Sequence, residues 1–387
     1  MAADTCAAEV RFLTSLAEVD AQAWDRVAGE DYPFLRHAFL LALEETGCTD
    51  ADSGWQPYHV TLHRDGKLVA LMPMYLKSHS YGEYVFDWSW ADAYHRNGRE
   101  YYPKLLTAIP FTPATGPRLC WAEGEEAGEC VARLAGAVKQ LARQRGLSSW
   151  HVLFPDDAMA GQLASVGACL RQGSQFHWFN EGFATFDDFL DTFNSRKRKS
   201  LKRERRRVQE QGITLEILEG NAITAAHWAE FYRFYQMTYA KRSGHGGYLT
   251  RAFFQRLGEQ FSEHCVLVRA SIDGEAVAGS LCFRSSDTLY GRYWGCVQEL
   301  DCLHFEACYY QGIEYCIRNG LKRFDPGAQG EHKIQRGFTP IPTVSAHWIA
   351  EPMFAEAIAD FTQREREHVD AYIEEASTLL PFKSKDA

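Results

Sequence analysis

Seven consecutive residues, Gly327-Ala328-Gln329-Gly330-Glu331-His332-Lys333, set a carboxylate, an imidazole and an amine side by side in a loop framed by Gly327, Gly330 and Gly337. Such a trio offers a general base and a cation that can stabilise developing negative charge. Glu331 or His332 is suited to the base, and Lys333 to the cation. Glycines permit positive φ and close backbone approach. Gln329 and Arg336 flank the trio and are expected to bind substrate. A polar surface loop is the competing reading.

A second group lies upstream. Arg292 and Tyr293 are adjacent in a β-type run, so alternation puts them on opposite faces and only one can face a given pocket. Arg292 would hold an anionic group and Tyr293 would donate a proton, against the alternative of an aromatic cross-strand residue beside a surface arginine. In the next element Glu306 and Tyr310 stand at i, i+4 on one helical face and form a candidate acid–base pair. His304 precedes them as a substrate-contacting residue. The i, i+2 spacing of His304 and Glu306 suits one helix face poorly, and no metal site is expected. In the first half, Tyr84 and Trp88 are expected to contact substrate.

The elements that must position these residues follow from periodicity. Thr288–Gly295 reads as a strand. His304–Asn319 reads as a helix closed by Gly320 at the C′ position, with Asp301 as N-cap. Asp65-Gly66 and Asp273-Gly274 each separate two β-rich runs and predict hairpins. Tyr81–Trp88 is expected to continue the first sheet, and Tyr101–Ile109 to be a helix. Tyr81-Gly82-x-Tyr84 answers Tyr290-Gly291-x-Tyr293, and Tyr101-Tyr102 answers Tyr309-Tyr310, which suggests an internal duplication of one α+β unit. The expected division is 1–183 for the first unit, 184–375 for the second and 376–387 for a short tail.

The second unit opens on a basic helix over 195–208. From Arg196 to Arg207, nine of twelve residues are Lys or Arg and Glu204 is the only acid. Arg196, Lys197, Arg198, Lys199, Lys202 and Arg203 are expected to form an anion site for phosphates of tRNA, a nucleotide-linked substrate or coenzyme A. A solvated, self-repelling helix is the plainer alternative. The chain as a whole carries a formal charge of −10, which argues against general nucleic-acid affinity and makes the run conspicuous.

With 387 residues, 46% hydrophobic and 13% aromatic, the chain can bury a substantial core. No apolar run approaches the roughly 20 residues of a membrane span. The N-terminus lacks the pattern of a secretory signal. Eleven cysteines without a CxxC pair read as reduced thiols, and the expected location is cytoplasmic.

Several longer stretches carry a family resemblance. HSYGEYVFDW, YYPKLL, PFTPATG, QFHW, LYGRYWG, LHFEACYYQ and GAQGEHK, together with Lys197-Arg198-Lys199-Ser200-Leu201-Lys202-Arg203, resemble the FemAB-like (peptidoglycan biosynthesis/recognition) group of N-acyltransferases. The resemblance implies an α+β fold of two tandem acyl-CoA-dependent N-acetyltransferase (GNAT)-like units. It implies an acyltransferase with aminoacyl-tRNA as donor, no permanently bound cofactor and a small-molecule or peptide acceptor, and it gives Lys333 the carbonyl-polarising role. Two alternatives stand beside it: an acetyl-CoA-dependent N-acetyltransferase, and a non-catalytic module binding a cell-wall precursor or RNA. GNATs cradle pyrophosphate in a glycine-containing loop. The corresponding linker here, Cys296–Cys302, has no glycine and two acids, which favours a donor other than coenzyme A.

Overall fold

The computed structural model describes residues 8–244, 246–328 and 330–383. The strands in chain order are β1 (Ala8–Leu13), β2 (Trp55–Pro57), β3 (His59–Arg64), β4 (Lys67–Met72), β5 (Tyr75–Lys77), β6 (Lys104–Thr107), β7 (Cys120–Trp121), β8 (Ser149–Leu153), β9 (Cys169–Phe179), β10 (Ile213–Glu219), β11 (Cys265–Ile272), β12 (Glu275–Arg284), β13 (Thr288–Cys296), β14 (Arg323–Asp325) and β15 (Thr339–Ile349). The helices are α1 (Ala21–Ala28), α2 (His37–Glu45), α3 (Trp88–Arg96), α4 (Ala127–Arg145), α5 (Asp157–Ser165), α6 (Phe186–Asp191), α7 (Ser195–Glu210), α8 (Ala225–Ser243), α9 (Arg251–Gln260), α10 (Leu303–Phe305), α11 (Gln311–Asn319) and α12 (Pro352–Thr378). A π-helical stretch, Glu306–Tyr310, joins α10 to α11.

Contacts divide the chain into two units, 1–173 with 343–370, and 174–342 with 371–387. The chain therefore passes from one to the other within β9, returns within β15 and passes again within α12. A single boundary at 183/184 does not describe this, because β15 hydrogen-bonds to β8 over Ser345–Ile349 and so completes the first unit.

In the first unit β1, β3, β4 and β7 form one antiparallel sheet, and β2, β5, β6, β8 and β15 follow one another in a second. β6 and β8 are parallel, Leu105 opposite Trp150. Aliphatic side chains of β3, β4 and α4 build the main core with Trp150 and Trp348. In the second unit β10, β11, β12 and β13 are antiparallel, β13 pairs in parallel with β14, and β14 pairs with β9. Its core is aromatic, with Trp178, Phe189, Tyr310 and Phe324 among its members. Each unit thus contains an antiparallel meander and a parallel pair, as GNAT-like units do, continuous in one sheet in the second unit and divided between two sheets in the first.

Local chemistry explains the two meanders. Asp65-Gly66 and Asp273-Gly274 all have positive φ (52°, 74°, 50° and 85°), the requirement of a type I′ turn matched to strand twist. Two expectations fail. Tyr81–Trp88 is an irregular loop, and Tyr101–Ile109 contains the strand β6. The four residues of β6 are all buried, so the run shows no alternation and periodicity could not separate strand from helix. The paired tyrosine motifs consequently occupy different elements: loop against strand, and coil against π-helix. The duplication lies in strand order, with β6 and β8 matching β13 and β14.

Candidate active site

β13 is the element on which the site of the second unit rests. It pairs with β14 only over Thr288–Tyr290, and the residues from Gly291 to Cys296 continue without that neighbour. On the other side α8 packs directly against the strand. A Cβ at Gly295 would lie 2.2 Å from the backbone carbon of Phe234, so only glycine permits this approach. A cleft of about 640 Å³ lies at the far end of β13, beyond its pairing with β14. Met237, Lys241 and Arg242 of α8, Trp294 of β13, and His304 and Phe305 of α10 line it, with the loop 297–302 at one edge.

Three of the expected residues gather at this cleft or beside it. His304 forms part of the wall, its ring 5.4 Å from that of Trp294 and 5.4 Å from that of Tyr309. Burial, helped by His332 and Arg242, lowers its pKa to about 4, so the imidazole is neutral near pH 7. His332 stands behind it at 6.1 Å between ring centroids, with Nε2 2.8 Å from the Tyr309 hydroxyl. Burial lowers its pKa too. Gly330 lets that ring fold back, since a Cβ there would meet it at 2.4 Å. Arg336 stacks its guanidinium 3.4 Å above Phe305, donates to the His332 carbonyl at 2.7 Å and reaches Glu204 at 3.0 Å.

Lys333 does not line this cleft. Only 1% exposed, its ammonium donates to the Gly327 carbonyl at 2.5 Å and ties down the glycine loop. Burial lowers its pKa to about 7, partly countered by Asp325. Glu331 is exposed and accepts from the Tyr372 hydroxyl at 2.9 Å. Gln329 lies outside the described residues. The acid, imidazole and amine that adjoin in sequence thus point to three separate surroundings, because they occupy a single 3-10 turn over Glu331–Arg336.

Arg292 and Tyr293 do face opposite ways. Arg292 is buried against Asp325 at 2.5 Å, and Asp325 also accepts from the Gly327 amide at 2.9 Å and stands 3.6 Å from His177 Nε2. Burial alone would raise the Asp325 pKa, but Arg292 and then His177 hold it below the usual carboxylate range. Tyr293 packs into an aromatic core with Tyr235, Phe254 and Phe283. Glu306 and Tyr310 do not pair with each other. Glu306 binds Arg205 of α7 at 2.8 Å, and the Tyr310 hydroxyl donates to Glu204 of the same helix. Both are fixed by the basic helix.

That helix divides its cations into two sets. Asn194 caps it, accepting from the Lys197 amide at 3.0 Å. Lys197 contacts Gln335, Arg198 pairs with Asp191, Lys202 with Asp187, Arg205 with Glu306 and Glu314, Arg206 with Glu210 and Arg207 with Asp301. Arg196, Lys199 and Arg203 are exposed and have no acidic partner among the described residues. Their i, i+3, i+7 spacing sets them along one face.

Tyr84 and Trp88 belong to the loop of the first unit, Tyr84 with φ of 62° and Trp88 exposed at the start of α3. Sequence reasoning missed Arg242, Trp294 and Asp325. Arg242 sits in the last helical turn of α8, where a basic residue is ordinary, and Asp325 ends a three-residue strand with no pattern of its own. Among the described residues no group of side chains has the arrangement of a metal site, every described cysteine is free, and no helix is long and apolar enough to cross a membrane.

No curated protein matches the chain in sequence. Solved structures do match in fold. The C-terminal domain of a putative lysylphosphatidylglycerol synthetase from Agrobacterium fabrum is 11% identical with a TM-score of 0.55, over 90% of this chain and 97% of that one. FemX is 13% identical with a TM-score of 0.51, over 91% and 100%. L-PGS from Bacillus licheniformis is 12% identical with a TM-score of 0.50, over 83% and 95%. At these identities the likeness is one of fold. The sequence profile of the FemAB-like family, described as peptidoglycan biosynthesis/recognition, matches residues 15–384. With that match over nearly its whole length, the chain belongs to the FemAB-like family.

Proposed function

We propose that the protein is an acyltransferase that moves an aminoacyl or acyl group onto an amine or hydroxyl, with the cleft of the second unit holding the donor. The observation that carries this reading is the cleft at the far end of β13, beyond its pairing with β14, with a neutral imidazole, His304, in its wall. A carbonyl held there would meet the Arg242 guanidinium as the available cation, and His304 would take the proton of the attacking nucleophile. Lys333 acts on the loop rather than on the carbonyl, keeping Gly327 and the adjoining Arg292–Asp325 pair in place. It is a positioning residue.

The identity of the donor is argued from charge. The linker at the edge of the cleft presents Glu299 and Asp301, which pair with Lys241 and Arg207 and would oppose a pyrophosphate. The unpaired stripe Arg196, Lys199 and Arg203 offers an alternative seat for a phosphate backbone, which favours aminoacyl-tRNA over acetyl-CoA. A family linked to peptidoglycan biosynthesis or recognition makes a cell-wall precursor the first acceptor to try. The test is a transfer assay with labelled aminoacyl-tRNA and with labelled acetyl-CoA, using a nucleotide-linked peptidoglycan precursor as acceptor. Turnover with aminoacyl-tRNA that His304→Gln abolishes is the expected result. Turnover with acetyl-CoA alone would replace the donor, and an undiminished His304→Gln enzyme would remove the assigned base.

A further inference from the structure

The first unit carries an exposed aromatic group that includes Trp88, an expected substrate contact, and that the cleft of the second unit does not use. Tyr81, Phe86 and Trp88 are 57%, 57% and 42% exposed, and all three belong to one loop, Ser80–Trp88. Large apolar groups in water are costly, and a cluster of them marks an interaction site. This loop is also held with unusual firmness. The buried ammonium of Lys104 donates to three of its residues, Ser80 at 2.8 Å, Glu83 at 2.8 Å and Asp87 at 2.5 Å. Tyr101 donates to Asp87 at 2.6 Å, Trp55 to the Tyr81 carbonyl at 3.1 Å and Arg171 to the Phe86 carbonyl at 2.7 Å. A buried lysine that fastens three points of a loop whose rings face solvent is a device for preorganisation, which lowers the ordering cost of binding.

The chemistry of the rings selects the ligand. Tyr81 and Trp88 meet edge to face at 5.2 Å. The Tyr81 hydroxyl and the Trp88 indole N–H make no hydrogen bond among the described residues, so each ring offers an apolar face with a polar edge. Charge excludes ionic ligands. The loop contains no Lys or Arg, its two acids are buried on Lys104, and Asp92 and Arg96 of the following helix neutralise each other at 3.0 Å. An anionic lipid surface would require basic residues here. A sugar ring has the complementary form, an apolar face of C–H groups rimmed by hydroxyls. We propose that Ser80–Trp88 is a carbohydrate-binding platform, on which the more exposed ring, Tyr81, stacks an uncharged pyranose while Trp88, inclined to it at 61°, meets the edge of the sugar.

This goes beyond the acyl-transfer reading and is tested without a donor. Triacetylchitotriose is titrated into the full-length protein by calorimetry, alongside Tyr81→Ala/Trp88→Ala. Saturable binding at about millimolar Kd, weakened at least about tenfold in the double variant with its thermal midpoint unchanged, is the expected result. No saturable binding to the wild-type protein at tens of millimolar, or equal binding by the double variant, overturns the proposal. So does sedimentation with phosphatidylglycerol vesicles that the double variant loses while the sugar fails to bind, since that would make the platform a lipid contact. Loss of transfer activity alone leaves the platform standing, and loss of sugar binding alone leaves the transferase standing.

Discussion

Arg292 and Asp325 are almost wholly buried and lean on each other at 2.5 Å. Removing one partner of such a pair leaves an uncompensated charge in a dry interior. Arg292→Ala is therefore expected to cost about 3–5 kcal/mol, a fall of roughly 6–20 °C in the melting transition by calorimetry. Replacing both with apolar residues, Arg292→Met with Asp325→Leu, is expected to recover most of that loss. Equal damage from single and double changes would mean the pair is not electrostatically coupled. His304 is a different kind of residue, partly exposed to the cleft and paired with no acid. His304→Gln should lower the rate of transfer by about 10²–10⁴-fold with little change in the melting curve. The Glu331-His332-Lys333 run shows what adjacency in sequence can and cannot reveal. His332 and Arg336 stand behind the candidate cleft. The directions of the trio were not legible, because a 3-10 turn sends neighbouring side chains different ways and the Lys333 ammonium is held by the Gly327 carbonyl, six residues away.

At the scale of elements, β13 and α8 share the walls of the cleft, and their separation is set by Gly295. Gly295→Ala must push α8 from the strand, at a cost of about 1–3 kcal/mol or more for overpacking. Transfer activity is expected to fall further than stability does, measured as kcat/KM against the thermal midpoint, because both Trp294 and Arg242 shift. The basic helix makes a separable prediction. Changing Arg196, Lys199 and Arg203 together to Gln should reduce RNA binding and flatten its salt dependence by roughly 2 units in log–log slope, about 0.7 per phosphate contact. Arg205→Ala would act through stability instead, by leaving Glu306 and Glu314 unpaired. The helix and both hairpins were readable from their residues, since charge density, Asn194 and the Asp-Gly turns act locally. Tyr81–Trp88 reads as strand from its aromatic composition, whereas its shape is imposed by Lys104, a residue beyond its end.

Across the whole molecule, buried and half-buried histidines are distributed between the two units. Burial lowers the pKa of His151 to about 3, of His177 to about 4 and of His304 to about 4, and that of His347 further. The unfolded chain binds protons at these sites below about pH 6.5 and the folded protein does not. Their contribution is therefore intact above pH 6.5 and declines as pH falls toward 4, by up to about 1.4 kcal/mol per pH unit for each. Thermal midpoints measured from pH 7 to pH 4 should fall steadily, and a flat profile would show that these imidazoles are accessible to protons. The division of the chain was the least legible feature. Hydrophobic pattern marks where strands are, but nothing in residues 343–349 announces that they pair with a strand almost two hundred positions earlier.

That pairing has a consequence in time. β8 ends at Leu153, while the strand that flanks it is not complete until Ile349. At about 5–20 residues per second, a ribosome needs roughly 10–40 s to supply it. During that interval the first unit has an open sheet edge, and His151 lacks His347, its buried neighbour at 2.7 Å. A fragment ending at residue 183 should remain incompletely folded by hydrogen exchange, however long it is incubated. Birth order and folding order therefore part company in this protein: the half made first cannot close until most of the other half has been made.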